Sequence, residues 1–224
     1  MRFGLYTNVL FTALSSLELS GASRYYLDGS ALILVEAGLS TQQENDVLES
    51  TLYAQMMADH ACDQFSEFSQ WYAVLIKSYL ETGWTVYTSD FDLTIDNLSS
   101  IDQEAIEKVL PAALNEDERL NVSKALDAIH KNPTLETLLY QETSAGSFRN
   151  LQVLVTQIDD SNNVVLSFTG FVINVVNKNL REVFASFGLG LLEESNFAAH
   201  RKYISSFVED YKTKLISSIL PSYS

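Results

Sequence analysis

The stretch TQQENDVLESTLYAQMMADHACDQFSEFSQWYAVLIKSYLET, Thr41 to Thr82, decides how the rest of the chain is read. Within it Ala54, Met57, Ala61, Phe65, Phe68, Tyr72, Leu75 and Tyr79 recur at alternating steps of three and four. That spacing predicts a single helix burying one face. At about 1.5 Å per residue it would be roughly 60 Å long. Leu48, Leu52, Met56, Trp71 and Ile76 widen the stripe, so the helix is expected to pack on more than one side.

On its carboxy-terminal side, Gly83 stands where a left-handed cap is expected. Trp84 to Ile95 then reads as a strand, with Phe91, Leu93 and Ile95 alternating against Asp90, Asp92, Thr94 and Asp96. On the other side, Arg24 to Glu36 reads as two extended runs around Asp28-Gly29, a pair suited to a type I′ turn. The opening MRFGLYTNVLFTALSSLELSG reads as a retained first helix rather than a signal peptide, because Thr7, Asn8 and Thr12 interrupt its apolar run and no Ala-x-Ala site follows.

Further along, capping-box pairs Ser100/Gln103 and Asn115/Glu118 start two helices, Ile101 to Leu110 and one that ends at Asn132-Pro133. A short helix from Thr134 to Gln141 follows. Leu151 to Ile158 and Val164 to Val176 are strands rich in Val, Ile and Phe on both faces, and so belong at the centre of a sheet. Asp159 to Asn163 turns between them. The long helix and a carboxy-terminal one, with Phe197, His200, Ile204, Phe207, Tyr211, Leu215 and Ile219 in helical register, are the expected covers for the two faces. Gly188-Leu-Gly190 reads as a helix stop. The resulting expectation is an α+β fold in one domain, residues 1 to 224: a mostly antiparallel sheet of about five strands flanked by two long amphipathic helices and several short ones.

Hydrophobic residues make up 46% of the chain, which excludes a disordered protein. The single cysteine, Cys62, rules out an intramolecular disulfide. No run of about 18 apolar residues occurs, so no spanning helix is expected, and the expected compartment is the cytoplasm. Net charge is −15, and residues 1 to 108 hold 16 of the 29 acids but only four bases, Arg2, Arg24, Lys77 and Lys108. A surface so poor in clustered Lys and Arg disfavours nucleic acid and anionic lipid, and suits a basic protein partner.

Asp90-Phe-Asp-Leu-Thr94, after Trp84-Thr-Val-Tyr87, resembles the first motif of haloacid-dehalogenase-type phosphatases. The resemblance, which covers five residues, implies Asp90 as nucleophile, Asp92 as general acid and Mg²⁺ on the phosphate. Thr156 and Lys178 could stand for the family's next two motifs, but the later acidic pair, Asp159-Asp160, precedes Lys178, so the order differs. His60, Asp63 and Glu67 sit at i, i+3 and i+7 and could share a helix face as metal ligands, yet no further ligand is indicated. The hairpin 151 to 176 has some toxin-like polar alternation, spoiled by Leu154, Ile158, Phe168, Phe171 and Ile173.

The favoured expectation is a non-enzymatic, protein-binding module of immunity or chaperone type, needing no cofactor or metal. It would bind a basic protein through Asp59, Asp63, Glu67, Asp90, Asp92 and Asp96. The Mg²⁺-dependent phosphatase and a membrane-interacting protein are the alternatives.

Overall fold

The structure is a computed structural model and describes residues 17–18, 24–86, 89–91, 114–146, 148–174, 183–192, 198 and 200–210. The first hairpin of its sheet is formed by β2 (Arg24–Asp28) and β3 (Ala31–Val35). Asp28 pairs with Ala31, so the two loop residues are Gly29 and Ser30, one position later than Asp28-Gly29. Only Gly29 of the two takes a positive φ, 57°. A glycine alone in that region at the first loop position makes a type II′ turn, not the expected type I′.

β3 then pairs in parallel with β7 (Phe148–Ile158), which forms a long hairpin with β8 (Val164–Asn174). These four strands, in the order β2-β3-β7-β8, are the mixed centre of the sheet. β9 (Val183–Leu192) adds to β8, and the short β4 (Trp84–Val86) and β5 (Ser89–Phe91) add to β9. β1 (Leu17–Glu18) and β6 (Ser144–Ala145) attach to β2 and β7. The class is α+β, and every described pairing except β3 with β7 is antiparallel.

Two expectations are corrected here. Leu17 and Glu18, taken as the end of a first helix, are extended; residues 1–16 lie outside the described ones. Gly188-Leu-Gly190 is no helix stop but part of β9, where the register steps from Leu166–Gly190 to Phe168–Phe187. The additional residue on β9 makes a bulge, a place where strand glycines are common.

Along each central strand the side chains alternate between two cores. Tyr26, Ile33, Val35 and Leu154 point into one; Tyr25, Leu32, Leu34, Val153 and Val155 point into the other. Burial of both faces is why Ala31–Val35 reads as an unbroken apolar run rather than an alternating one.

The first core is covered by α1 (Thr41–Ala61), α2 (Phe68–Glu81) and α5 (residues 200–210), through Val47, Ala54, Trp71, Leu75, Ile204 and Val208. The second is covered by α3 (Glu116–His130) and α4 (Pro133–Thr143), through Val122, Leu126, Ile129 and Leu135. The two long helical segments therefore share one face instead of flanking the sheet. The capping box Asn115/Glu118 and the Asn132-Pro133 boundary are as expected. His200 is exposed despite its place in the apolar register, and residues 211–219 lie outside the described ones.

The single helix expected over Thr41 to Thr82 is two. Cys62 leaves the helix with φ −144° and ψ 158°. The Asp63 carboxylate accepts hydrogen bonds from the backbone N–H of Phe65 (3.0 Å) and Ser66 (2.8 Å) and from Ser66 Oγ (3.0 Å). A short acid that bonds the backbone ahead of it offers an alternative to the helical ladder, and here it wins. The apolar stripe fails at the same place: Ala61 is exposed and Phe65 half-buried, whereas Ala54, Tyr72, Leu75 and Tyr79 are buried.

Candidate functional site

The acids of α1 and of the turn that follows it divide into two groups with different fates. Those in the first half of α1 are consumed by the fold. Glu44 accepts from Tyr26 Oη and pairs with Arg24 at 2.5 Å. Burial, then the hydrogen bond to Glu44, pushes the Tyr26 phenol up to about 12. Asp46, with 0% exposure, takes a two-pronged contact from Arg201 of α5, Nε at 2.8 Å and Nη2 at 2.6 Å, and a third bond from Gln42 Nε2 at 2.8 Å. Glu49 accepts from Ser205 Oγ at 2.5 Å. Tyr53 meets Phe207 and Tyr203 edge-on, at 5.2 and 6.1 Å between ring centroids. The first half of α1 is thus no free acidic surface: Arg24 and Tyr26 take up Glu44, and α5 docks on the rest through Arg201, Ser205 and Phe207.

The second group gathers at the corner where α1 turns into α2. Asp63 and Glu67 are exposed, and Glu67 Oε2 accepts from the Asp63 backbone N–H at 3.2 Å. Asp59, by contrast, is partly buried and accepts from Trp71 Nε1 at 2.7 Å, which ties the end of α1 to α2. Burial, with Asp63 nearby, pushes the Asp59 carboxyl up to about 7 against the opposing effect of the indole bond. Behind the corner lies Asn150 of β7. Its Oδ1 accepts from the buried Tyr72 hydroxyl at 2.7 Å, and its Nδ2 donates to the Gln64 carbonyl at 3.0 Å. Glu142, at the end of α4, is also raised to about 7, by burial first and then by Asp59.

The corner therefore contains Asp59, Asp63 and Glu67 from the expected set, with Asp59 facing inward. Glu142 and Asn150 were missed. Glu142 reads in sequence as an ordinary helix acid, and Asn150 as the polar lead-in to an apolar strand; only the end of α4 returning to the start of β7 brings them here. Asp90 lies in β5, its backbone opposite Ser186, and Asp92 and Asp96 lie outside the described residues. His60 is exposed, and no group of three or more His, Cys, Asp or Glu able to hold a metal occurs among the described residues.

The residues of the phosphatase resemblance do not converge among the described ones. Asp90 is mid-strand in an antiparallel pair, not at the end of a parallel strand. Thr156 is buried and donates to the Leu34 carbonyl at 3.1 Å. Asp159 builds the β7–β8 turn by accepting from the backbone of Ser161 and Asn163, both at 2.8 Å, and the Asn163 backbone bond above all holds its carboxyl low. Lys178 lies outside the described residues.

Fold and corner together define an α+β protein whose helix-covered mixed sheet presents an acidic helical turn. No family model matches the chain. Nor does any curated protein match it. A solved structure described as that of the Evf virulence factor aligns with 79% of this chain and 76% of its own, at 9% identity and a TM-score of 0.32. Likeness at that level carries no argument about fold or function. No helix among the described residues is long and apolar enough to cross a membrane.

Proposed function

We propose that the protein is a non-enzymatic binding module that docks a basic protein partner on the α1–α2 corner, in an immunity-like or chaperone-like role. The observation that carries this reading is the exposure of Asp63 and Glu67 on a turn inside a stretch without any basic residue between Arg24 and Lys77. Those two flanking bases are engaged, Arg24 with Glu44 at 2.5 Å and Lys77 with Glu81 at 3.6 Å. Exposed acids concentrated on a rigidly held turn steer a cationic partner and fix its orientation more than they add raw affinity. Asp59 supports the turn from beneath in this reading instead of touching the partner. Asp90, Asp92 and Asp96 remain candidate contacts.

The test uses a fluorescently labelled Lys-rich peptide as probe, titrated with the full chain between about 0.03 and 0.3 M salt. Asp63→Asn with Glu67→Gln keeps the acceptor that shapes the turn while removing both charges. Binding several-fold weaker in this variant, with a shallower salt dependence, is the expected result. Asp160→Asn with Asp210→Asn removes two exposed acids elsewhere. If both double variants bind equally well, attraction is a property of net charge and the corner is no site.

A further inference from the structure

Gln152, in the middle of β7, is 0% exposed, and its Oε1 has no hydrogen-bond partner. Most buried polar atoms are paired, with protein or with ordered water. The other end of this amide is fixed: Nε2 donates to Ser30 Oγ at 2.7 Å. Ser30 in turn donates to Gln55 Oε1, from its backbone N–H at 3.1 Å and its hydroxyl at 3.3 Å, and Gln55 Nε2 donates to the Asp28 carbonyl at 2.9 Å. With its hydrogen spent on Gln55, the Ser30 hydroxyl meets Gln152 as an acceptor, which leaves the carbonyl end of the amide as the orphan. This half of the network belongs to the β2–β3 turn. A second half belongs to the α1–α2 corner, where the Tyr72 hydroxyl donates to Asn150 Oδ1 at 2.7 Å and Asn150 Nδ2 to the Gln64 carbonyl at 3.0 Å.

Strand register brings the two halves together. Asn150 and Gln152 are two apart on β7 and share the face covered by α1 and α2. Gln152 lies between Ala31 of β3 and Gly170 of β8, whose side chains are a methyl group and a hydrogen, so the layer is open beside the amide. A Cβ at Gly170 would overlap the Tyr72 hydroxyl, which therefore stands where the side chain opposite Gln152 would begin. Opposed Cβ positions are about 4.5–5.5 Å apart. One water spans about 5.5 Å between the groups it bridges. We infer that a buried water molecule donates to Gln152 Oε1 and to the Tyr72–Asn150 pair, through Tyr72 Oη or Asn150 Oδ1, and so joins the β2–β3 turn to the α1–α2 corner. A phenol or amide oxygen accepts such a bond alongside the one it already makes. Ser30, Gln55, Tyr72, Asn150 and Gln152 are neutral and at most 4% exposed, so the site suits an uncharged ligand and not an ion. The bridge goes beyond the partner-binding reading and is present whether or not a partner docks.

A high-resolution crystal structure of the unmodified chain tests this directly. The expected result is one ordered oxygen within hydrogen-bond distance of Gln152 Oε1 and of Tyr72 Oη or Asn150 Oδ1. Water magnetic relaxation dispersion, which counts the molecules held inside a protein for longer than it tumbles, is the second measurement. Gln152→Met keeps the length of the side chain and removes the acceptor, so this variant should hold one long-lived water fewer than the parent. If it does not fold, the crystal structure decides. No oxygen at that position, a Gln152 Oε1 bonded directly to a protein group, a water that touches Gln152 but neither Tyr72 nor Asn150, or an unchanged count in Gln152→Met would each overturn the bridge.

Discussion

Arg201→Met should be among the most damaging single substitutions outside the two cores. The Asp46 side chain is 1% exposed and that of Arg201 25%, and two charge-assisted bonds of 2.6 and 2.8 Å join them. Removing the guanidinium leaves a carboxylate in the interior with the Gln42 amide, at 2.8 Å, as a remaining donor. Breaking a buried pair from one side costs about 3–5 kcal/mol. The partial exposure of Arg201 and the surviving Gln42 bond put this case at the lower end, about 3 kcal/mol, or roughly 6–12 °C in Tm for a domain of this size. The penalty comes from the stranded charge rather than from the pair's net worth. Asp46→Leu combined with Arg201→Met should therefore recover most of it and bring the double variant within about 1 kcal/mol of the parent. Urea unfolding followed by tryptophan fluorescence and circular dichroism, with coincident transitions, measures all four corners of the cycle. If Arg201→Met costs under about 1 kcal/mol, or if the two single effects simply add, the pair is solvent-screened and α5 is not anchored by it.

Further predictions follow from the turn, from one close packing contact and from the buried carboxyls. Gly29→Ala puts a Cβ on a residue with φ 57° and against Gln55 Oε1, the atom that accepts from the Ser30 backbone N–H at 3.1 Å, so it should lower the unfolding free energy measured in urea by about 1–3 kcal/mol. Gly170→Ala drives a Cβ into the Tyr72 hydroxyl and ring and should cost more than Tyr72→Phe, which forfeits the bond to Asn150, about 1–2 kcal/mol. Differential scanning calorimetry of the two variants checks the order. For pH, Asp59 is raised from 3.8 and Glu142 from 4.5, each to about 7, so the native state binds more protons than the unfolded chain between about pH 4 and 7. These groups' contribution is complete below pH 4, declines as pH rises through that window and is flat above it. Asp59→Asn and Glu142→Gln should each flatten the decline in urea midpoints measured across the window.

Much of the fold can be read from local signals because those signals are short-range. Asn115 and Glu118 cap each other three residues apart, Pro133 ends one helix and opens the next, and Asp159 to Asn163 turns a hairpin whose strands are apolar on both faces. What could not be read depends on partners far away in sequence. β9 comes from a segment whose glycines read as a stop, and only its pairing with β8 makes their lack of side chains useful at a bulge. The break at Cys62 was masked because Ala61 and Phe65 continue the apolar period, while the competing signal, Asp63 bonding two residues ahead, is a single side chain.

The acidic helix shows the same limit in its charge. Glu44 and Asp46 look solvated because no base lies near them in sequence, but Arg24 approaches through the β2–β3 hairpin and Arg201 from 155 positions away. The inward face of α1 is polar for a reason composition hides. Ser50 accepts from Trp84 Nε1 at 3.1 Å, Thr51 from the Tyr79 hydroxyl at 2.9 Å, and Gln55 bonds the hairpin turn from both its ends. Each bond offsets the burial of a tyrosine, a tryptophan or a turn amide on a neighbouring element. A helix used as a hydrogen-bonding spine carries its polar residues inside, so counting its acids overstates what it presents to solvent. Even Asp59 in its last turn is taken up by the Trp71 indole, and acids come to the surface only past the end of α1, at Asp63 and Glu67 in the turn that leads to α2.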